Sequence, residues 1–478
     1  MEKKRSERSD ERKKDEAIPQ GREECIFADV AVIGAGASGM AAAVAAAAQG
    51  CSVVIAEGND RAGKKLYATG NGRCNFTNEE CTPESFNPTE DRFVESILNF
   101  FGTEETLRFF DSEGMMARLE EGGRYYPYSG QASAVVKTLE RAVKRSGCRF
   151  LFSDRAVKTG FSENGSSGDG YFRILTESGR RLICRRLIVA CGGRAGLKTG
   201  STGDGYGFAK SFGHTLKPPR PALTAAESDA EFLGNLKGVR ARGSVSLYEK
   251  DESPGEGSRS RPVKIAEETG EIQFTGTGIS GICVFDLTRY MEGIRPPAPK
   301  KKKKKGSAGG KRTETEQGKT YIIVCDFVPG KSGEELYRML RKHVIDGKTD
   351  SAEKKISLQN ALEGIVNSKL AGVIADLSGG DVSRAADMLH HFEVPVSCTR
   401  GWEEAQVTCG GVRREEIFPG TLESRLQPGL FFCGEVIDVD GRCGGFNLQW
   451  AWSSGTAAGR AAGRKKDMGE TQKGEKKC

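Results

Sequence analysis

Residues 29–57, DVAVIGAGASGMAAAVAAAAQGCSVVIAE, hold the run that decides the fold. An apolar strand (Val30, Ala31, Val32, Ile33) enters the pattern Gly34-x-Gly36-x-x-Gly39. An alanine-rich helix follows, and a second apolar strand from Cys51 to Ala56 ends on Glu57. Each glycine has its own physical role. Gly34 makes a tight turn, Gly36 lets backbone approach a pyrophosphate, and Gly39 allows close packing of helix on sheet. The helix start, with Ala37 and Ser38, offers unpaired N–H groups and the positive end of a dipole to phosphate. Glu57, followed by Gly58, is placed to accept from ribose hydroxyls, and its charge would repel a 2′-phosphate. The expectation is an α/β protein with a Rossmann-like domain that binds an adenine dinucleotide.

The far end of the chain distinguishes between dinucleotides. Residues 430–459, LFFCGEVIDVDGRCGGFNLQWAWSSGTAAG, read as a short buried strand, Gly434-Glu435, a glycine-rich loop at Gly444-Gly445, and a helix beginning near Asn447. FAD is longer than NAD, and its ribityl chain and isoalloxazine need a second backbone cradle. Glu435 can accept from a ribityl hydroxyl. The helix N-terminus, with Asn447, Leu448 and Gln449, can aim N–H groups at the flavin pyrimidine, where negative charge collects on reduction. The expected cofactor is FAD. No histidine sits in these motifs to attach it, so it should be held non-covalently.

Four blocks carry a closer resemblance: IGAGASGM at Ile33, TGNGRCNFTN at Thr69, STGDGYGFAKSFGH at Ser201 and GEVIDVDGRCGGFNLQWAWSSG at Gly434. FTGTGISG at Phe274 and VTCGGV at Val407 also fit. The chain resembles the YhiN/BaiN group of bacterial flavoproteins, aminoacetone-oxidase-like or 3-dehydro-bile-acid-reductase-like, within the wider two-dinucleotide-binding-domain flavoproteins. The resemblance implies a split FAD domain whose inserted unit, including residues 274–281, caps the flavin. It also implies cofactor contacts at Lys65, at Gly70, Asn71, Gly72, Arg73, Cys74 and Asn75, at Val157, at Gly192 and Gly193, and at Gly203 and Asp204.

Composition bounds the alternatives. The length of 478 residues suits two or three domains. No apolar run approaches the length of a membrane span. The first 24 residues carry eight basic and eight acidic side chains and read as a disordered leader, not a secretory signal. Net charge is +7, but residues 295–319 contain ten Lys or Arg against two Glu, leaving −1 for the rest. The run Lys300–Lys305 therefore reads as a solvated loop, with an anionic surface or RNA as the functional alternative. No nucleic-acid partner is expected, and nothing sets the oligomeric state. The fourteen cysteines include no C-x-x-C and no zinc spacing. Cys184, Cys325 and Cys433 lie in apolar strands and read as small buried hydrophobes, which suits a cytoplasmic protein with reduced thiols.

The expected organisation is a leader (1–24), the first part of the FAD domain (25–217), and an inserted antiparallel β-domain (218–329) with a disordered lysine-rich loop (295–319). An inserted helical subdomain (330–394), the second part of the FAD domain (395–463) and a disordered tail (464–478) complete it. Strands are expected at Pro262–Ala266, Glu271–Thr275 and up to about Tyr290. Tyr125 to Tyr128 reads as an aromatic loop. His214 is expected to face solvent or a turn, and no metal set emerges. Two candidates stand for the chemistry. Arg73 could hold an anionic reduced flavin or anionic substrate, or bridge to a loop carboxylate. The Tyr126 hydroxyl could donate to a substrate carbonyl. The expected reaction is hydride exchange at flavin N5, and the family resemblance implies an NAD(P)H-linked reduction of a conjugated, steroid-like carbonyl compound. An aminoacetone-like amine oxidase using O₂, or a flavoprotein that acts on RNA or binds flavin without catalysis, are the alternatives. The other G-x-G-x-x-G match, Gly276 to Gly281, falls in the inserted unit, so no dedicated NAD(P)H domain is expected and any nicotinamide must use the flavin pocket.

Overall fold

The computed structural model describes residues 24–87, 92–163, 170–250, 262–294, 319–344 and 356–464. Residues 1–23 of the leader, 465–478 of the tail and the lysine run of residues 300–305 lie outside the described residues.

The first sheet is built on strand Cys25–Ile33, which pairs in parallel with Val53–Ala56 on one side and Arg181–Val189 on the other. Arg149–Leu151 extends it beyond Val53–Ala56. Strand Arg181–Val189 forks: its first half pairs antiparallel with Gly170–Thr176, and its second half pairs in parallel with Leu430–Phe432. Val30 to Ile33 and Val53 to Ala56 are buried on both faces, as parallel strands flanked by helices must be. The C-terminal strand thus returns beside the N-terminal dinucleotide unit, so residues 25–56 and 430–463 share one core.

Helices Ala37–Ala47 and Phe446–Gly463 cover this sheet by packing backbone against backbone. A Cβ on Gly455 would lie 2.3 Å from the Ser38 carbonyl oxygen, and one on Gly459 would lie 2.1 Å from that of Ala42. Glycines four residues apart fall on one helix face, and the alanine-rich partner presents nothing larger. That close approach fixes how the two helix N-termini stand relative to each other.

A second, seven-stranded antiparallel sheet runs in the order Phe392–Val396, Thr320–Asp326, Arg240–Lys250, Val263–Phe274, Gly278–Ser280, Ala226–Glu227, Cys398–Thr399. Helices Gly333–His343, Leu358–Glu363, Ser368–Ser378 and Val382–His390 share one apolar core with it, separate from that of the first sheet. Strand Leu216–Ala222 pairs with Val407–Val412 where the chain leaves and re-enters the first body.

Several local readings change. The stretches 262–266 and 271–275 form one strand, Val263–Phe274, whose charged middle is exposed at the surface and so hides the alternation. The stretch before Tyr290 is a helix, Ile282–Thr288. Strand Ala156–Glu163 has no expected counterpart, and Arg124–Pro127 is the middle strand of a three-stranded sheet, not a loop. His214 does not face solvent. It is 3% exposed, with Nδ1 2.9 Å from Glu416 and Nε2 2.7 Å from Ser424. Cys184, Cys325 and Cys433 are buried.

Candidate functional site

A cavity of about 880 Å³ runs from the first glycine turn to the start of the last helix. At its first end the three glycines have distinct geometries. Gly34 has φ +108°, and a Cβ there would meet the Ala190 carbonyl oxygen at 2.6 Å. A Cβ on Gly39 would lie 1.9 Å from the Gly34 oxygen. A Cβ on Gly36 would meet nothing within 4 Å, because it would project into the cavity. Glu57 stands at the end of its strand and organises this turn: one oxygen accepts from the Ala35 N–H at 2.7 Å, the other from the Asn59 N–H and amide at 2.8 Å. A carboxylate offers about four lone-pair positions, so acceptor capacity remains for hydroxyls in the cavity. Gly58, Asn59, Arg155, Ala156, Gly200 and Thr202 close this end. Arg155 is anchored by Asp204 and donates to Thr202 at 2.9 Å.

Midway, Lys65 and Glu435 form an ion pair at 2.8 Å, and Glu435 also accepts from the Thr408 N–H at 2.7 Å. The two residues are 370 positions apart in sequence, so this pair ties the two cofactor-domain segments together across the cavity wall. At the second end Gly444 and Gly445 have φ +132° and +100°, and they deliver the N-terminus of helix Phe446–Gly463 into the cavity. The first-turn N–H groups of a helix have no partner within it. The Asn447 side chain is clamped onto Gly441 at 2.8 Å both ways, so Asn447 faces the cavity with backbone. Beside it lies Asn75, 9% exposed, whose Oδ1 has no hydrogen-bond partner among the described residues. A buried unpaired acceptor on a cavity wall is costly unless a ligand satisfies it.

Of the residues expected at the cofactor, Gly34, Gly36, Ala37, Ser38, Glu57, Gly58, Lys65, Gly70, Asn71, Arg73, Asn75, Gly192, Asp204, Glu435, Gly444, Gly445, Asn447 and Leu448 line this cavity. Gly39, Gly72, Cys74, Val157, Gly193, Gly203, Gly434 and Gln449 do not. Val157 is 48% exposed while its neighbour Ala156 faces the cavity, because Val157 is the extra residue of a β-bulge between Ala156 and Lys158. Cys74 is fully buried at φ +60°, and burial pushes its thiol up to about 12. Gln449 lies on the inward face of its helix, bonded to Thr77 at 2.6 Å and Ser453 at 2.9 Å. Gly193 and Gly434 serve packing, since a Cβ would strike Thr408 Oγ1 at 2.3 Å and Ser38 Oγ at 2.4 Å. Gly203 caps helix Asp204–Ser211, with φ +83°.

Beyond the last helix the wall changes character. Arg73 pairs with Glu120 at 2.5 Å and stacks over Tyr126, its Cζ 4.1 Å from the ring centroid. Arg73 thus bridges to a carboxylate, at the end of strand Ala117–Glu120 rather than in a loop, and faces the cavity at the same time. Arg124, two residues along the strand from Tyr126, shares its cavity face. Leu223, Phe285, Val407 and Cys443 supply a small apolar cluster on this wall, and Ile282 also lines it. Asn59, Arg155, Arg124, Phe285 and Cys443 were missed as site residues. Only the position of Arg124 beside the tyrosines gave any signal. Among the described residues no cluster could hold a metal, and no helix is long and apolar enough to cross a membrane.

The cavity fits a flavin dinucleotide at both ends. It offers an open glycine approach for phosphates, an acidic strand end, and a second helix N-terminus with an unsatisfied amide for a ring. Fold and cavity define the class, a flavoprotein with a Rossmann-like FAD-binding domain. The particular family follows from comparison: the family described as HI0933-like protein Rossmann domain matches residues 28–461, and the chain belongs to it. Over 448 residues, 91% of this chain and 98% of the relative, it is 35% identical to a 3-dehydro-bile acid delta(4,6)-reductase of Clostridium scindens. It is 29% identical over 92% of its length, and 99% of the relative's, to a ribosomal RNA dihydrouridine synthase of Haemophilus influenzae. A ribosomal RNA dihydrouridine synthase of Escherichia coli is 26% identical over 90% of this chain and 96% of its own. The chain is an FAD-dependent oxidoreductase.

Proposed function

We propose that this protein reduces a carbon–carbon double bond conjugated to a carbonyl in a flat, largely apolar molecule, with NAD(P)H as the electron source. The observation that carries this reading is shared by the relatives' names. A delta(4,6)-reductase saturates C=C bonds in a 3-oxo compound, and dihydrouridine is uridine with one C=C bond saturated. FAD, when bound, supplies hydride exchange at N5.

The chain's own residues support the rest of the reaction. Adding hydride to such a substrate puts negative charge on the carbonyl oxygen. The Tyr126 hydroxyl, free of protein partners among the described residues, is placed to hold that oxygen. Arg73 over the Tyr126 ring favours the phenol as a donor. Phe285, Leu223 and Val407 exclude water from the apolar face. The other match to the glycine pattern, Gly276 to Gly281, lies within the antiparallel sheet, where Gly278–Ser280 is a strand rather than a phosphate turn, so the nicotinamide uses this same cavity in turn.

The test is anaerobic. Holoprotein is titrated with NADH or NADPH, and the reduced protein is then mixed with 3-oxo-Δ4 and 3-oxo-Δ4,6 steroids. Return of the visible flavin band with formation of the saturated ketone is the expected result. No reoxidation by any conjugated ketone would defeat the proposal.

A second reading, uridine in ribosomal RNA, is favoured by the likeness to the two synthases. It requires a base turned out of its stack into the cavity. Ribosomal RNA from cells lacking the gene would then be missing a dihydrouridine present in the parent.

A further inference from the structure

Arg124 stands out among the cations lining the cavity. Lys64 donates to Asn59, Lys65 pairs with Glu435, Arg73 with Glu120, and Arg155 with Asp204, while Lys198 is exposed to solvent beside Gly200 at the other end of the cavity. Arg124 is half-buried and has no hydrogen bond or ion pair with any described residue. The strand pairing produces this unequal sharing. Glu120 sits directly across the strand pair from Arg124, where an opposite charge would ordinarily pair with it. That carboxylate is instead claimed by Arg73 at 2.5 Å and by Arg118 at 2.7 Å. Those two guanidinium groups hold it below the usual carboxylate range, with Arg73 the larger influence. Of the lining carboxylates, Glu57, Asp204 and Glu435 are bonded within the protein, and Glu403 is exposed on a loop.

The surroundings fix what Arg124 could hold. A Cβ on Gly444 would lie 3.7 Å from its Nε, so the guanidinium borders the turn that begins the last helix. Cys443, the preceding residue, packs with Leu223, Val407 and Phe285 in a small apolar cluster. An unpaired, forked cation is therefore continuous with an apolar surface at the ring end of the cavity. A guanidinium matches planar or tetrahedral oxyanions through two parallel N–H bonds.

We propose that the substrate of this cavity carries an oxyanion, a carboxylate or a phosphate monoester, on an apolar frame, and that Arg124 is the residue that binds it. The proposal rests on the cavity being the site of reduction, but its test does not need turnover. FAD-loaded protein is titrated with 2-naphthoate, 2-naphthyl phosphate and methyl 2-naphthoate, following perturbation of the visible flavin band. At least one anion should bind about tenfold or more tighter than the neutral ester, the scale of one charge-assisted hydrogen-bond pair. Whichever anion shows the preference names the group. Arg124→Gln should abolish the preference while FAD content and ester binding stay unchanged, and Arg124→Lys should restore part of it. An ester that binds as well as both anions, or an anion preference that survives Arg124→Gln, overturns the proposal. So does loss of FAD from both variants, which would make Arg124 a cofactor contact. If the anion preference stands while no conjugated ketone is reduced, the reduction reading fails and this subsite does not.

Discussion

The same substitution placed three residues apart in the glycine turn should have opposite consequences. Gly36 has φ −80° and ψ −169°, which any L residue adopts, and a Cβ there would touch nothing within 4 Å. Gly36→Ala removes unfolded-chain freedom, a gain of about 0.4–1 kcal/mol, and weakens the helix N-cap by a similar amount. The apoprotein should therefore melt within roughly 4 °C of wild type. The added methyl projects where a pyrophosphate must come, displacing it from one or two charge-assisted N–H bonds worth about 1.5–3 kcal/mol each. FAD affinity should fall by about tenfold to 10⁴-fold, and the rise in melting temperature on adding FAD should shrink accordingly. At Gly39 the added methyl would lie 1.9 Å from the Gly34 carbonyl oxygen, so helix and turn must separate. Gly39→Ala should destabilise the apoprotein itself, by several degrees or into aggregation. Differential scanning fluorimetry of both apoproteins, with and without FAD, reads all four quantities. A Gly36→Ala protein that retains FAD at wild-type affinity would refute the placement of the phosphates.

Glu57→Ala should weaken FAD binding by about 1.5–3 kcal/mol, read from equilibrium dialysis, since one charged acceptor is lost. The buried pair of Arg289 and Asp440, 1% and 2% exposed with Nε to Oδ1 at 2.7 Å, ties the segment after helix Ile282–Thr288 to the cofactor domain. Asp440→Asn should cost about 3–5 kcal/mol by urea denaturation, because a buried guanidinium loses its counter-charge. Burial drives the His214 pKa down against the opposing pull of Glu416, so the folded protein holds a neutral ring. The unfolded chain takes up that proton near 6.5, so stability present above that value is lost as pH falls through it. The Glu416 carboxyl is lowered and titrates below this window. His214→Gln should therefore flatten the loss of stability between about pH 7.5 and pH 5.5, at a general cost of about 1–3 kcal/mol. An unchanged slope would contradict the assignment.

The parts of the site legible in the sequence are those whose geometry is local. Gly34, Gly36, Gly39 and Glu57 lie within one strand–turn–helix–strand unit, and each role follows from backbone sterics alone. The second helix N-terminus was legible because Gly444-Gly445 mark it. Facing was not: Gln449 stands in the same run as Asn447 and Leu448, yet helical periodicity turns it into the core. The cavity contact at Ala156 rather than Val157 depends on a β-bulge in a strand whose mixed residues concealed it. Arg155 and Asn59 owe their places to the way Arg149–Leu151 and the loops around it return beside Val53–Ala56, a tertiary fact without a local signature. Arg124 is a site residue only because Arg118 and Arg73 claim Glu120, a three-way competition visible once the strands are paired.

The central claim, a flavoprotein that saturates conjugated double bonds, is tested most directly by a single-turnover experiment. Protein purified with its bound FAD is reduced without oxygen, freed of excess reductant, and mixed with a 3-oxo-Δ4,6 steroid acid. Stoichiometric recovery of the oxidised flavin spectrum, with one equivalent of steroid carrying two additional hydrogens by mass spectrometry, is the predicted result. A flavin that stays reduced with that steroid and with uridine-containing ribosomal RNA, yet reoxidises with dioxygen while oxidising an amine in turnover, would contradict it.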